Sequence, residues 1–82
     1  MSYVQAFILI NTEPGKVWEV AEAITRIKGL GVGVAHAVAG QYDVIAYVDF
    51  SEMTTLSEVI EKVQAIKGVR RTQTAVAIPR IE

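Results

Sequence analysis

An α+β fold of the βαββαβ type is predicted for this 82-residue chain, and three observations predict it. The sequence is written twice. Moved along itself by 39 positions without a gap, Ile27-Lys28-Gly29 falls on Ile66-Lys67-Gly68, Tyr3 on Tyr42, Leu9 on Val48 and Thr12 on Ser51. The same shift brings Val17 onto Leu56, Val20 onto Val59 and Ile24 onto Val63. A period of that length marks a repeated supersecondary unit. Each half also reads as an apolar β-rich run, a stripe at helical spacing and a second β-rich run. Finally, a tight turn at Gly40-Gln41 joins the halves, so the second and third strands pair as an antiparallel hairpin.

The elements follow in order. Tyr3 to Ile10 (YVQAFILI) forms the first strand. The turn Asn11-Thr12-Glu13-Pro14-Gly15 comes next. Proline suits the first turn of a helix, and Asn11, Thr12 or Glu13 can cap it. Val17, Val20, Ala21, Ile24 and Ile27 then bury one helical face, and Gly29 is placed to end the helix as its C′ residue. Val32 to Ala39 is the second strand and Tyr42 to Phe50 the third. Ser51, Thr54 or Thr55 caps the second helix, with Thr55 and Glu58 at capping-box spacing. Leu56, Val59, Ile60, Val63 and Ile66 repeat the apolar stripe, Gly68 closes it, and Val69 to Ile78 is the last strand.

With right-handed crossovers this order gives a ferredoxin-like plait: a four-stranded antiparallel sheet with both helices on one face. Strand periodicity then makes a further prediction. Gln5, Phe7 and Leu9 point opposite to Val4, Ala6, Ile8 and Ile10, and Ile45 and Tyr47 point opposite to Val44, Ala46 and Val48. Both sheet faces are apolar while the helices cover one, so the other is expected to meet a second copy in a sheet-to-sheet dimer.

Composition agrees and narrows the function. Half of the residues are hydrophobic (51%) and mean hydropathy is +0.33, more apolar material than one small core needs. The whole chain, residues 1–82, is expected to be one domain. Eight basic and nine acidic residues, well mixed to a net charge of −1, leave no electrostatic footprint for DNA or RNA. The absence of cysteine removes disulfides and thiolate metal sites and fits an intracellular protein. No basic n-region precedes the short apolar run Val4 to Ile10, so neither a signal peptide nor a membrane span is expected, and the chain reads as cytoplasmic.

Catalysis has little material here. His36, the only histidine, lies mid-strand between alanines and reads as a packing or hydrogen-bonding residue; no metal set and no cofactor loop can be assembled around it. Gly29, Gly31 and Gly33 precede a strand, where a phosphate loop would precede a helix. Arg70 and Arg71 read as a solvated strand start or a salt bridge. No catalytic residue is assigned. Polar residues instead concentrate where the halves diverge, at Ala39-Gly40-Gln41-Tyr42-Asp43 and at Arg70-Arg71-Thr72-Gln73-Thr74. Since the fourth strand pairs with the first, the hairpin tip must reach it by a tertiary or subunit contact.

The order Gly40-Gln41-Tyr42-Asp43, a second helix, Gly68-Val69 and then Thr72-Gln73-Thr74 resembles the C-terminal effector domain, or RAM domain, of the Lrp/AsnC regulators. The resemblance spans essentially the whole chain. It implies an amino acid or related small-molecule effector, sheet-to-sheet dimers assembled into an octameric or decameric ring, and effector clefts between dimers. Carried over by residue, it places Gly40, Gln41, Tyr42, Asp43, Thr72 and Thr74 at or beside such a cleft. Backbone groups of Gly40 and Gln41 would bind a carboxylate and Asp43 would face an ammonium group. Two departures stand out. No helix-turn-helix precedes Tyr3, so the chain resembles a stand-alone RAM protein that partners a full-length regulator and binds no DNA itself. Ala39 replaces the threonine that many members carry before the turn glycine. Two other readings remain: a purely structural partner in co-assembly, and a small dimeric α+β barrel enzyme centred on His36. The related ACT plait would have a glycine-rich turn after the first strand, which is not evident.

Overall fold

A computed structural model of the chain describes residues 3–80. Six elements follow in the order β1 (Val4–Thr12), α1 (Val17–Thr25), β2 (Val32–Ala37), β3 (Val44–Phe50), α2 (Met53–Gln64) and β4 (Val69–Val76). The strands form one antiparallel sheet in the order β2-β3-β1-β4, so the first strand of each repeat is central and the last is an edge. This is the ferredoxin-like arrangement, with the two repeats related across the β1–β3 pair.

The core lies between one sheet face and the two helices. Ala6, Ile8 and Ile10 of β1 and Val44, Ala46, Val48 and Phe50 of β3 meet Val20, Ala21 and Ile24 of α1 and Leu56, Val59 and Val63 of α2. The period-two and period-3.6 patterns therefore converge on one apolar layer. Registry holds them there, because a slip of one residue would turn every core side chain of a strand to the other face.

The helix ends differ from the sequence expectation, and the reason is tertiary. Asn11 and Thr12 do not cap α1: β1 runs on to Thr12, which pairs with Val69 across an irregularity in the β1–β4 register. Glu13 instead donates its N–H to the Gly68 carbonyl at 2.8 Å. The N-cap is Lys16, without a side-chain cap. Glu52, not Ser51, Thr54 or Thr55, occupies the N-cap of α2, again without a side-chain bond. Both helices also stop before their glycines. Tight turns follow, with Ile27 N–H bonded to Ile24 C=O and Ile66 N–H to Val63 C=O, each at 3.1 Å. Ile27 and Ile66 reach the core from these turns. The second strand ends at Ala37, the third begins at Val44 and the fourth ends at Val76, all shorter than the apolar runs that announced them.

The sheet face away from the helices is open in the single chain. Phe7 stands directly opposite Tyr47 with ring centroids 5.2 Å apart at 83°, and Tyr47 meets His36 edge-on at 5.8 Å. Leu9 opposes Ile45, and Val34 is 54% exposed. Polar Gln5 and Asn11 of β1, Asp49 of β3, and Arg71 and Gln73 of β4 lie around this apolar centre.

Candidate functional site: the clefts beside the hairpin loop

The connection from β2 to β3 is a loop whose base is closed by Val38 N–H bonded to Asp43 C=O at 2.9 Å. It leans across the end of the sheet onto β1. Asp43 N–H reaches the Ile10 carbonyl at 2.9 Å, and Asp43 Oδ2 accepts the Thr12 N–H at 2.8 Å, with Thr12 Oγ1 at 3.5 Å from the same oxygen. Asn11 Nδ2 donates to the Gln41 carbonyl at 2.9 Å. Tyr42 carries the contact one strand further by donating its hydroxyl to Gln73 Oε1 on β4. The hairpin tip thus meets the fourth strand within one chain.

Two adjoining clefts lie against this loop. The larger, of about 490 Å³, is lined by Asn11, Gln41, Tyr42, Arg71, Thr72 and Gln73. The second, of about 350 Å³, is lined by Asn11, Thr12, Asp43, Arg70 and Arg71. Asn11 and Arg71 are common to both. Of the six residues expected at a site, Gln41, Tyr42 and Thr72 line the first cleft and Asp43 the second, while Gly40 and Thr74 line neither. Thr72 and Thr74 face the helix side, opposite Ile10 and Ile8 of β1, and Thr72 Oγ1 accepts from Gln64 Nε2 of α2 at 3.2 Å.

Asn11, Thr12, Arg70, Arg71 and Gln73 complete the linings and were not among those six. Their signal was present in part. Arg71 and Gln73 alternate with Thr72 along β4 and so share the open face with Asn11, which pairs with Arg71. Among the described residues, no group of three side chains could hold a metal ion.

The Asp43 contacts carry a stability consequence. Thr12 is only 6% exposed, so losing its carboxylate acceptor would leave a buried N–H unsatisfied. Asp43→Ala is expected to lower unfolding free energy by about 1–2 kcal/mol, read as a fall in the urea midpoint at fixed protein concentration. An unchanged midpoint would remove Asp43 as the clamp of the loop.

The family model described as "Lrp/AsnC ligand binding domain" matches residues 5–82. The chain belongs to the Lrp/AsnC family. This Lrp/AsnC domain is 38% identical over 81 residues to an uncharacterized HTH-type transcriptional regulator of Pyrococcus furiosus, covering 94% of this chain and 53% of that one. A regulator of the same description from Pyrococcus abyssi is 32% identical over 74 residues, 89% of this chain and 46% of the relative. The chain therefore spans about half the length of the curated relatives it matches. Among solved structures, TTHA0845 of Thermus thermophilus superposes with a TM-score of 0.85 at 29% identity, over 96% of this chain and 98% of that one. The Neisseria meningitidis transcriptional regulator NMB0573, solved as an L-Met complex, shares the fold at 22% identity and a TM-score of 0.77, over 96% of this chain and 52% of its own. The two Pyrococcus relatives and NMB0573 are each described as transcriptional regulators.

Proposed function

We propose that this Lrp/AsnC domain binds a small amino-acid effector in the clefts beside the hairpin loop and assembles through its open sheet face. The observation that carries the reading is the loop itself. Asp43 and Asn11 join it to β1 and Tyr42 joins it to β4, so a ligand seated there touches elements from both repeats. Asp43, Gln41, Tyr42 and Thr72 offer polar groups of both hydrogen-bonding senses around a space large enough to admit an amino acid. Gly40 shapes the loop, with φ at 141°, and Thr74 supports β4 from the helix side. That a regulator of this fold was solved with L-Met supports the amino-acid class.

Assembly is supported by surface. The chain exposes 5642 Å², against about 4,800 Å² for a monomeric protein of its mass. Covering the band from His36 to Phe7 with the same band of a second copy would bury the aromatic centre. A two-fold dimer requires such self-complementarity. Dimers joined into a ring would bring the hairpin clefts to the next interface, and a full-length regulator could enter the same ring. An intracellular setting fits this role; no helix among the described residues is long and apolar enough to cross a membrane.

The test is thermal unfolding of the full chain against the twenty amino acids at one protein concentration. A ligand at a hundred times its dissociation constant adds about 2.7 kcal/mol, a shift of several degrees for a domain of this size. Selective stabilisation is the expected result. No shift with any of them would leave the domain as a structural partner in co-assembly, a reading that the small Ala39 beside Gly40 favours.

A further inference from the structure

We infer that the effector is a small dicarboxylate, with an acidic amino acid as its best-fitting form. The inference rests on the effector reading above and specifies its chemistry.

The charges lining the two clefts are Arg70, Arg71 and Asp43. Neither guanidinium has an ion-pair or hydrogen-bond partner among the described residues, whose ion pairs join Lys16 to Glu19 and Arg26 to Glu22 elsewhere. Asp43, the carboxylate nearest in the lining, gives its Oδ2 to the Thr12 N–H and is not within 4.0 Å of either arginine's charged nitrogens. The lining thus carries two cationic groups and one anionic group, a net charge of +1.

Arginine also sets the kind of partner. Its planar fork donates two parallel hydrogen bonds to a carboxylate, and charge-assisted bonds of that type are the strong ones. A neutral amino acid brings one carboxylate and one ammonium group, leaving one guanidinium of the lining uncompensated. An acidic amino acid brings two carboxylates and one ammonium group, which match two guanidiniums and Asp43 group for group. An amine-free dicarboxylate meets both arginines and leaves Asp43 to its structural bond. The remaining lining has spare donors for carboxylate oxygens at Asn11, Gln41 and Thr72.

Backbone position explains why both arginines reach the same place. Arg71 pairs with Asn11 on the open face, while the β1–β4 register shifts between Asn11 and Thr12, where Thr12 pairs with Val69. Arg70 is the extra residue of that irregularity. A bulge re-aims a side chain that strict alternation would send to the opposite face, and here both neighbours line one cleft.

The experiment is isothermal titration of the full chain with matched pairs, glutamate against glutamine and aspartate against asparagine, with succinate as the amine-free arm. R70Q, R71Q and the double variant are titrated alongside. Each acid is expected to bind at least about tenfold more tightly than its own amide. The double variant should lose that preference while its ligand-free melting temperature stays the same, since both side chains are exposed. Succinate binding as tightly as aspartate supports the dicarboxylate class through the arginines alone. Aspartate binding more tightly than succinate supports the same class with Asp43 holding the amine. Amides binding as tightly as acids, or a preference that survives in the double variant, overturns the inference and leaves effector binding in place. No binding by any of the five compounds, together with no thermal shift across the twenty amino acids, overturns both.

Discussion

Replacing Tyr47 by aspartate is expected to dissociate the proposed sheet-to-sheet assembly into folded monomers. Tyr47 sits on the open face, between Phe7 and His36, with its strand neighbours Ala46 and Val48 pointing into the core. Its ring contributes to the centre of the proposed dimer contact, where truncation or charge is most costly. A carboxylate there would have to lose its hydration opposite a second apolar face, at a cost of several kcal/mol, about 3–5 for an uncompensated buried charge. That corresponds to a dissociation constant raised by more than about a hundredfold. In the monomer the same side chain stays in water, so the fold should survive with a loss on the order of 1 kcal/mol from strand preference. Sedimentation velocity reads the first effect and circular dichroism the second. Gln5→Asp, on the same face but at its polar margin, should leave the assembly intact. Undiminished association of the Tyr47→Asp protein would mean that the open face is not the contact.

Gly31→Ala is expected to be the most damaging small substitution in the chain. Gly31 has φ at 81°, where an L side chain costs about 1–2 kcal/mol, and an added Cβ would lie 2.0 Å from the Asp49 carbonyl oxygen. No flexible side chain can yield there, because the obstacle is backbone. Relief would require separating β2 from β3 where the Gly31 carbonyl accepts the Asp49 N–H at 2.9 Å. Strain and the broken hydrogen bond together amount to about 3 kcal/mol or more, a fall in melting temperature of more than about ten degrees for a domain of this size. Gly29 provides the control. Its φ is nearly the same at 79°, yet nothing lies within 4 Å of an added Cβ, so Gly29→Ala should show only the conformational cost of about 1–2 kcal/mol. Equal losses at the two positions would show that backbone conformation, and not the approach to Asp49, governs Gly31.

These glycines illustrate how far a sequence can be read. Gly29, Gly31 and Gly33 were read as preceding a strand, which spoke against a phosphate loop; Gly33 lies inside β2 itself. Which of them leaves no room for a side chain depends on the distance to Asp49, eighteen positions beyond Gly31, which no local pattern records.

The sequence by itself determined the element order, the repeat, the strand pairing and the two apolar sheet faces. Those follow from periodicities of 2 and 3.6 and from the 39-residue shift, all properties of the chain alone. Ile8 and Phe7 were assigned to opposite faces, and the structure puts Ile8 in the core and Phe7 against Tyr47. The hairpin loop and the polar start of β4 were also legible, as places where the halves diverge.

Only the tertiary structure decided how polar side chains are used. Asn11 and Thr12 have the chemistry of helix caps, yet they extend β1, and their partners are Gln41 and Asp43 some thirty residues away. Arg70 and Arg71 read as a solvated strand start or a salt bridge, and the irregular β1–β4 register set both in one cleft lining with Asp43. The physical reason is the same in each case. Burial of apolar groups is nondirectional and follows local pattern, whereas a hydrogen bond or an ion pair acts only over about 3–4 Å in a particular direction. Which polar groups come that close is settled by strand register and loop path.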